Sequence, residues 1–336
     1  MTSHRRCLVL ALTVIAAGFS VGNVAGQIAE PSPLLLDEKI PLGDIKGRID
    51  HMAVDPARHR LLVAALGNGS LAVVDLEAKR VDRNIAGLRE PQGVGYDAAN
   101  DTIYVASAGD GSLKLFNGSD LKPKARIDLG SDADNIRVDT KAGRVFVGHG
   151  DGALAMIDTA THSKITSVPL DAHPESFQLD AVTDRIFVNV PNLRAIDVID
   201  RAGAKKIGSW STAGRSANFA MALDQGRQRL LVAFRRPAEL GIYALEDGKP
   251  VASVPTCGDI DDLFVDPKRD RVYVSCGEGF LDVLTADGSS YRRIAHIATA
   301  AGARTSLFSP DLDRLLLAVP ARAETPAAIW VFRPAP

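Results

Sequence analysis

The sequence predicts an all-β chain folded as a seven-bladed β-propeller with four-stranded blades, and three observations predict it. A short apolar segment ending in Asp recurs along most of the chain at nearly constant spacing. Each recurrence is followed by an aliphatic, β-branched run, with Asn-Gly or Asp-Gly turns after it in the first three units. No helical pattern separates one unit from the next.

The recurrence keeps register. Asp55, Asp97, Asp139, Asp180, Asp224, Asp266 and Ser309 end successive segments at intervals of 42, 42, 41, 44, 42 and 43 residues. Five positions after each anchor stand Arg60, Thr102, Arg144, Arg185, Arg229, Arg271 and Arg314, each opening an apolar strand. Self-similarity at such a period marks a repeat architecture. The segment before the anchor reads as a first strand. A tight turn leads to the second, such as "LLVAA" or "VYVSC", whose β-branched and aliphatic residues suit a pleated, buried surface. Asn68-Gly69, Asp110-Gly111 and Asp151-Gly152 then tolerate the positive φ that a hairpin needs before the third strand. A fourth strand runs out to the next unit. Units of this kind protect their strand edges by radial repetition; a linear β-solenoid, the alternative, uses shorter repeats.

The blades are expected to enter near residues 47, 88, 131, 172, 214, 257 and 301. The seventh reaches only its third strand in "AIWVFRPAP", so "LLLDEKIPLG" (residues 34–43) is expected to complete it and close the ring.

Arg5 and Arg6 precede an apolar run from Leu8 to Phe19, followed by small and polar residues to Gly26, the order of a secretory signal. Residues 1–26 are therefore expected to be removed, leaving 27–336 as one domain in the periplasm or outside the cell. The apolar run is about 12 residues, short of the roughly 20 that span a bilayer, and no longer one follows, so the mature chain is expected to hold no transmembrane segment. Removing the segment leaves 37 basic against 41 acidic residues, a net charge of −4. That balance, with sparse aromatics, gives no field or stacking surface for nucleic acid. Cys257 and Cys276 remain; an oxidising compartment would permit a disulfide. Regular pairing sets Cys276 opposite Asp261, four residues from Cys257, so the bridge requires the intervening loop to fold back and stays open. No Cys-x-x-Cys-His for covalent haem occurs.

The strand pairs "IYVASAGDGSLKLFN" (Ile103 to Asn117) and "VYVSCGEGFLDVLT" resemble the YVTN-type repeat of bacterial seven-bladed propellers, over essentially the whole mature chain. The resemblance implies the fold. The wider group includes surface and periplasmic proteins of unknown ligand, and related propellers include lactonases and the non-catalytic bodies of redox enzymes, so it does not transmit an activity.

In such propellers the loops entering each first strand share one face with those joining second and third strands. The position five before each anchor then rings the channel mouth: Asp50, Gln92, Asp134, Glu175, Phe219, Asp261 and Arg304. The next position adds His51, Asn135, Ser176 and Asp262, and neighbouring loops add His149, His173, Arg235, Arg236 and Glu278. This ring is more polar and less repetitive than hairpin geometry requires.

Three chemistries fit it. The carboxylates could cap turns and pair with Arg215, Arg235 and Arg304, for about 1 kcal/mol or less each where exposed. They could hold a divalent cation, oxygen ligands favouring Ca²⁺ or Mg²⁺ and the imidazoles of His51, His149 and His173, with Glu175, shifting preference to a transition metal. Or the mouth could take a small molecule or a partner protein, with Arg215, Arg235, Arg236 and Arg304 as forks for an anion, Asn218 and Gln92 for orientation, and Phe219 as a wall. An enzyme at the same face would use His51 or His173 as general base beside Asp50 or Glu175, for hydrolysis of a lactone or ester or for lyase chemistry. No Gly-x-Ser-x-Gly elbow occurs, and "GHGDG" (residues 148–152) reads as a hairpin rather than a phosphate loop. The expectation is a binding propeller, with a hydrolase or lyase as the alternative.

Overall fold

Every anchor pairs with the residue five positions on. Asp55 lies opposite Arg60, Asp97 opposite Thr102 and Asp139 opposite Arg144. Asp180, Asp224, Asp266 and Ser309 lie opposite Arg185, Arg229, Arg271 and Arg314 in turn. The computed structural model describes Met1 and residues 31–288, 290–323 and 325–336. Apart from Met1, the expected signal segment lies outside the described residues. Ser32 to Pro336 form one unit of seven antiparallel four-stranded sheets, a seven-bladed β-propeller. Leu34–Pro41 pairs with Ala328–Pro334 and completes the last blade, so the ring is closed by strands from both ends of this unit. No helix among the described residues is long and apolar enough to cross a membrane.

The burial pattern follows from stacking blades side by side. Second and third strands such as Arg60–Ala65 and Ser70–Asp75 are buried along nearly their whole length, because a neighbour covers each sheet face. Outer strands such as Arg80–Ala86 stay mostly exposed. The core is accordingly divided into seven apolar clusters, each shared by two adjacent blades; Tyr104 and Leu115 of blade two, for instance, pack with Ile136 and Val147 of blade three.

The anchors also lock blade to blade at one end of the channel. Asp55 accepts from Arg58 at 2.8 Å, and the same guanidinium reaches Asp101 of the next blade at 2.8 and 3.0 Å. Asp266, Arg269 and Asp313 repeat this link between blades six and seven, with both Asp313 oxygens 2.7 Å from Arg269. Asp224, Arg227 and Asp270 repeat it between blades five and six. Arg269 and its neighbour Lys268 hold the Asp313 carboxyl well below the usual range, although partial burial pulls the other way.

Regular pairing fails at three inner strands, and there the structure corrects the sequence reading. A bulge between Ile260 and Asp262 puts Cys276 opposite Ile260 rather than Asp261. Cys257 and Cys276 are joined by a disulfide, their Cα atoms 5.8 Å apart. Similar irregularities fall between Pro91 and Val94 and between Asn218 and Met221.

Candidate functional site

The inner strands of all seven blades line a central channel of about 590 Å³. His51 lines both this channel and a second cavity of about 260 Å³ at the mouth. All seven residues five before the anchors line that mouth: Asp50, Gln92, Asp134, Glu175, Phe219, Asp261 and Arg304. Three of them, Gln92, Phe219 and Asp261, sit in the bulges, which re-aim a side chain that regular pairing would direct elsewhere. Blade two approaches closely because Gly93 has no side chain: a Cβ there would stand 2.0 Å from the Asp134 carbonyl oxygen.

One side of the mouth neutralises itself. Asp261 is held between Arg235 at 2.6 Å and Arg304 at 3.1 Å, and both arginines also reach Asp259. Arg235 lies over the Phe219 ring, 4.0 Å from its centre. Arg48 approaches the buried Asp50 to 2.7 Å, though without hydrogen-bond alignment, since that carboxylate oxygen has no bonded partner. His51 stands between two carboxylates, 3.7 Å from Asp50 and 3.8 Å from Asp262. Burial alone would lower its pKa, but Asp50, Asp262, Asp134 and Asp261 together outweigh that and raise it. Burial likewise raises Asp50 and pushes Asp262 up to about 7, although Asp262 accepts from the Ser306 backbone at 2.8 Å.

The other side holds Asp132, 3.5 Å from the His173 Nδ1, and two carboxylates that are unpaired among the described residues. Asp134 is 6 % exposed, lines the cavity and has a buried Oδ1 with no hydrogen-bond partner. Glu175 of the next blade has no ion-pair or hydrogen-bond partner for its side chain among the described residues. Burial, reinforced by Glu175, pushes Asp134 up to about 7; burial, reinforced by Asp261, does the same to Glu175. His173 also lines the mouth, and its Nδ1 is 2.6 Å from the Gly150 carbonyl, which can only accept. The proton of a neutral His173 therefore sits on Nδ1, leaving Nε2 with the lone pair.

Several sequence candidates lie elsewhere. Asn218 is fully buried and donates to Asn189 and the Ala195 carbonyl, a link between blades four and five that no ligand reaches. Asn135 is buried outside the mouth lining. Arg215 pairs with Glu239 and packs on Phe234. Arg236 is exposed and outside both cavities. Glu278 is exposed and accepts from the Gly258 backbone at 2.7 Å. His149 is buried outside the mouth lining, its Nε2 3.3 Å from Ser167 of the outer strand. The set weighed as metal ligands is thus not assembled: His51, His173 and Glu175 share the cavity and His149 does not. No three His, Cys, Asp or Glu among the described residues form a metal-holding group.

Sequence reasoning missed two arginines. Arg48 lines the mouth, and Arg137 lies in the channel wall below it, donating to Ser176 at 3.2 Å, with burial lowering its pKa. Arg137 carried a readable signal. Two before the anchor the other blades hold Ala53, Gly95, Gln178, Ala222, Phe264 and Leu307, none of them charged.

Comparison with known proteins supports the fold and little beyond it. The Salmonella typhimurium protein described as "Uncharacterized protein YncE" is 23% identical over 207 residues, 60% of this chain and 58% of its own length. Its Salmonella typhi counterpart matches to the same extent. The chain thus spans under two thirds of the curated relatives it matches. A chain of Kuenenia stuttgartiensis hydrazine synthase superposes with a TM-score of 0.74 at 17% identity, covering 84% of this chain and 97% of that one. A chain of a mitotic checkpoint complex superposes with a TM-score of 0.76 at 12% identity, covering 98% of each. No family model matches.

Proposed function

We propose that this protein is an exported binding propeller that captures a small ligand, or one side chain of a partner protein, in the funnel above its channel. The observation that carries the reading is Asp134, a buried carboxylate that lines the cavity with no protein partner. Leaving such a group unmet costs free energy, about 1 to 3 kcal/mol for a buried polar group and more for a charge. A ligand that completes the pairing offsets that cost. The volume, about 260 Å³, lies just under the roughly 300 to 1,000 Å³ of sites for drug-sized molecules, which favours a small occupant. Export is supported by the signal-like order of residues 1–26 and by the Cys257–Cys276 disulfide, a bond typical of oxidising compartments.

A second reading, hydrolysis or elimination by general acid and base, is favoured by the carboxyl pair poised near 7 at Asp134 and Glu175. The mouth lining holds no Ser, Thr or Cys, so a hydroxyl or thiol nucleophile is not supplied there. A thermal-shift screen of amines, carboxylates, sugars and lactones against the wild type and a Gln92→Leu, His173→Leu variant separates the readings. The binding reading expects at least one class to raise Tm in the wild type alone. No response from any class contradicts it, and consumption of a lactone that depends on Asp134 selects the enzyme.

A further inference from the structure

We infer that the occupant of the funnel presents an alkylammonium group, which docks between Asp134 and Glu175; this rests on the funnel being a binding site. The cations of the mouth are already committed: Arg48 to Asp50, and Arg235 and Arg304 to Asp261. His51 is flanked by Asp50 and Asp262, and His173 spends its Nδ1 proton on the Gly150 carbonyl. Two carboxylates in adjacent blades, Asp134 and Glu175, remain without an ion-pair partner among the described residues, although His51 lies near enough to favour the charged form of both.

An independent observation raises this above a mere cluster of acids. Asp134 is only 6 % exposed, it lines the cavity, and its Oδ1 is left without a hydrogen-bond partner. A buried acceptor in that state needs a donor, and a charged donor is worth roughly twice a neutral one. An ammonium brings three N–H donors and no acceptor. That number suits Asp134, Glu175 and the side-chain oxygen of Gln92, which neighbours Asp134 in the ring. An anionic occupant would meet the same two carboxylates with no uncommitted guanidinium in the mouth lining to offset them, since Arg137 lies in the channel wall below. Phe219 closes the arc on the Glu175 side, and its face is already covered by Arg235, so it serves as a wall for an alkyl stem.

The ammonium has two sources, a free small amine or a lysine of a partner, and one titration distinguishes them. The mature protein is titrated calorimetrically at pH 7.5 with n-butylammonium, n-butanol, butyrate, Ca²⁺ and Nα-acetyl-lysine-N-methylamide. The inference expects butylammonium to bind at one site, at least tenfold more tightly than butanol or butyrate. Binding should weaken tenfold or more in Asp134→Asn and in Glu175→Gln, and stay unchanged in Glu278→Gln, which removes one charge outside the cavity. A lysine amide that binds tenfold more tightly than butylammonium assigns the donor to a partner, and comparable affinity assigns it to a free amine; both support the ammonium class. Butylammonium binding that survives both substitutions overturns the inference, as does Ca²⁺ binding that displaces it. If butyrate or butanol binds instead and is lost in Gln92→Leu, the ammonium class fails while the funnel remains a binding site. Silence from every probe overturns the inference, and the funnel reading falls with it only if the wider thermal-shift screen is silent too.

Discussion

Asp266 and Asp134 belong to neighbouring positions of the same repeat pattern and are almost equally inaccessible, yet they are treated in opposite ways. At the anchor end, Asp266 accepts from Arg269 and from the Tyr273 hydroxyl, and Arg269 passes on to Asp313 of the next blade. At the mouth, five residues before the anchor position, or about 16 Å of extended strand, the Asp134 Oδ1 is met by no partner. The anchor end repeats its chemistry from blade to blade: Asp55, Asp224 and Asp266 each carry an arginine three positions on that bridges to the next blade. The mouth repeats nothing; the seven equivalent positions hold three Asp and one each of Gln, Glu, Phe and Arg. A residue kept in six of seven repeats, and linked to the next blade through an arginine in three of them, is accounted for by holding blade to blade. Unrepeated, unpaired polar groups are not.

The contrast breaks most sharply under substitution at the anchor end. Arg269→Ala strands the buried Asp266 beside a lost inter-blade link, and truncating one partner of a buried pair costs about 3 kcal/mol or more; urea unfolding should report a loss of that order. A loss below about 0.5 kcal/mol, the range of ordinary surface changes, would mean that the repeated links do not hold the ring. Gly93→Ala should cost somewhat less, about 1 to 3 kcal/mol for forced overpacking, since the new Cβ would press on the Asp134 carbonyl. It should also weaken ligand capture, because the displaced backbone carries the unpaired carboxylate. An unchanged unfolding midpoint with unchanged binding would show that blade two does not set the position of Asp134.

pH separates the two ends with opposite signs. Asp134, Glu175 and Asp262 are pushed up to about 7 in the folded protein, against roughly 4 in an unfolded chain. Between those values the folded state holds more protons, so the mouth's contribution to stability falls as pH rises from about 4 to about 7. Asp101 and Asp313 are held below their ordinary values by Arg58 and Arg269 against the pull of burial. Their contribution is present above about 4 and is lost as pH falls through the lowered pKa. Unfolding midpoints from about pH 5 to about pH 8 should therefore decline in the unliganded protein, and an Asp134→Asn, Glu175→Gln variant should decline less. An equal decline in both would remove the mouth as its source. Smallest of all, Arg236→Ala and Glu278→Gln should change stability by about 0.5 kcal/mol or less, as exposed positions outside the cavity do.

What the sequence made legible divides along the same line. The anchor register could be read for all seven blades because an Asp closing the first strand takes turn amides in place, as Asp55, Asp97 and Asp266 do, with the Ser309 hydroxyl doing the same in the last blade, and so recurs wherever that turn recurs. The mouth ring could be placed by counting back from it, and its seven residues do meet at one cavity. Pairing within the ring could not be read. The bulges at Gln92, Phe219 and Asp261 depend on how a strand end meets its neighbour, not on local preference, and they moved Cys276 by one register position. Asn218 reads from the sequence as a ligand-orienting amide beside the mouth residue Phe219, yet next to the bulge before Met221 it turns inward to Asn189. By sequence position His149 falls with the loops of the mouth face, although it ends a second strand and turns toward the outer one.

The most direct test compares unfolding free energies at pH 7.5 for the wild type, Asp134→Asn with Glu175→Gln, and Arg269→Ala. The account predicts that the double mouth variant is at least as stable as the wild type while Arg269→Ala is clearly weakened. A mouth variant that loses about 1 kcal/mol or more, a typical cost of removing a structural contact, would contradict it, since those carboxylates would then be holding the fold rather than awaiting a ligand.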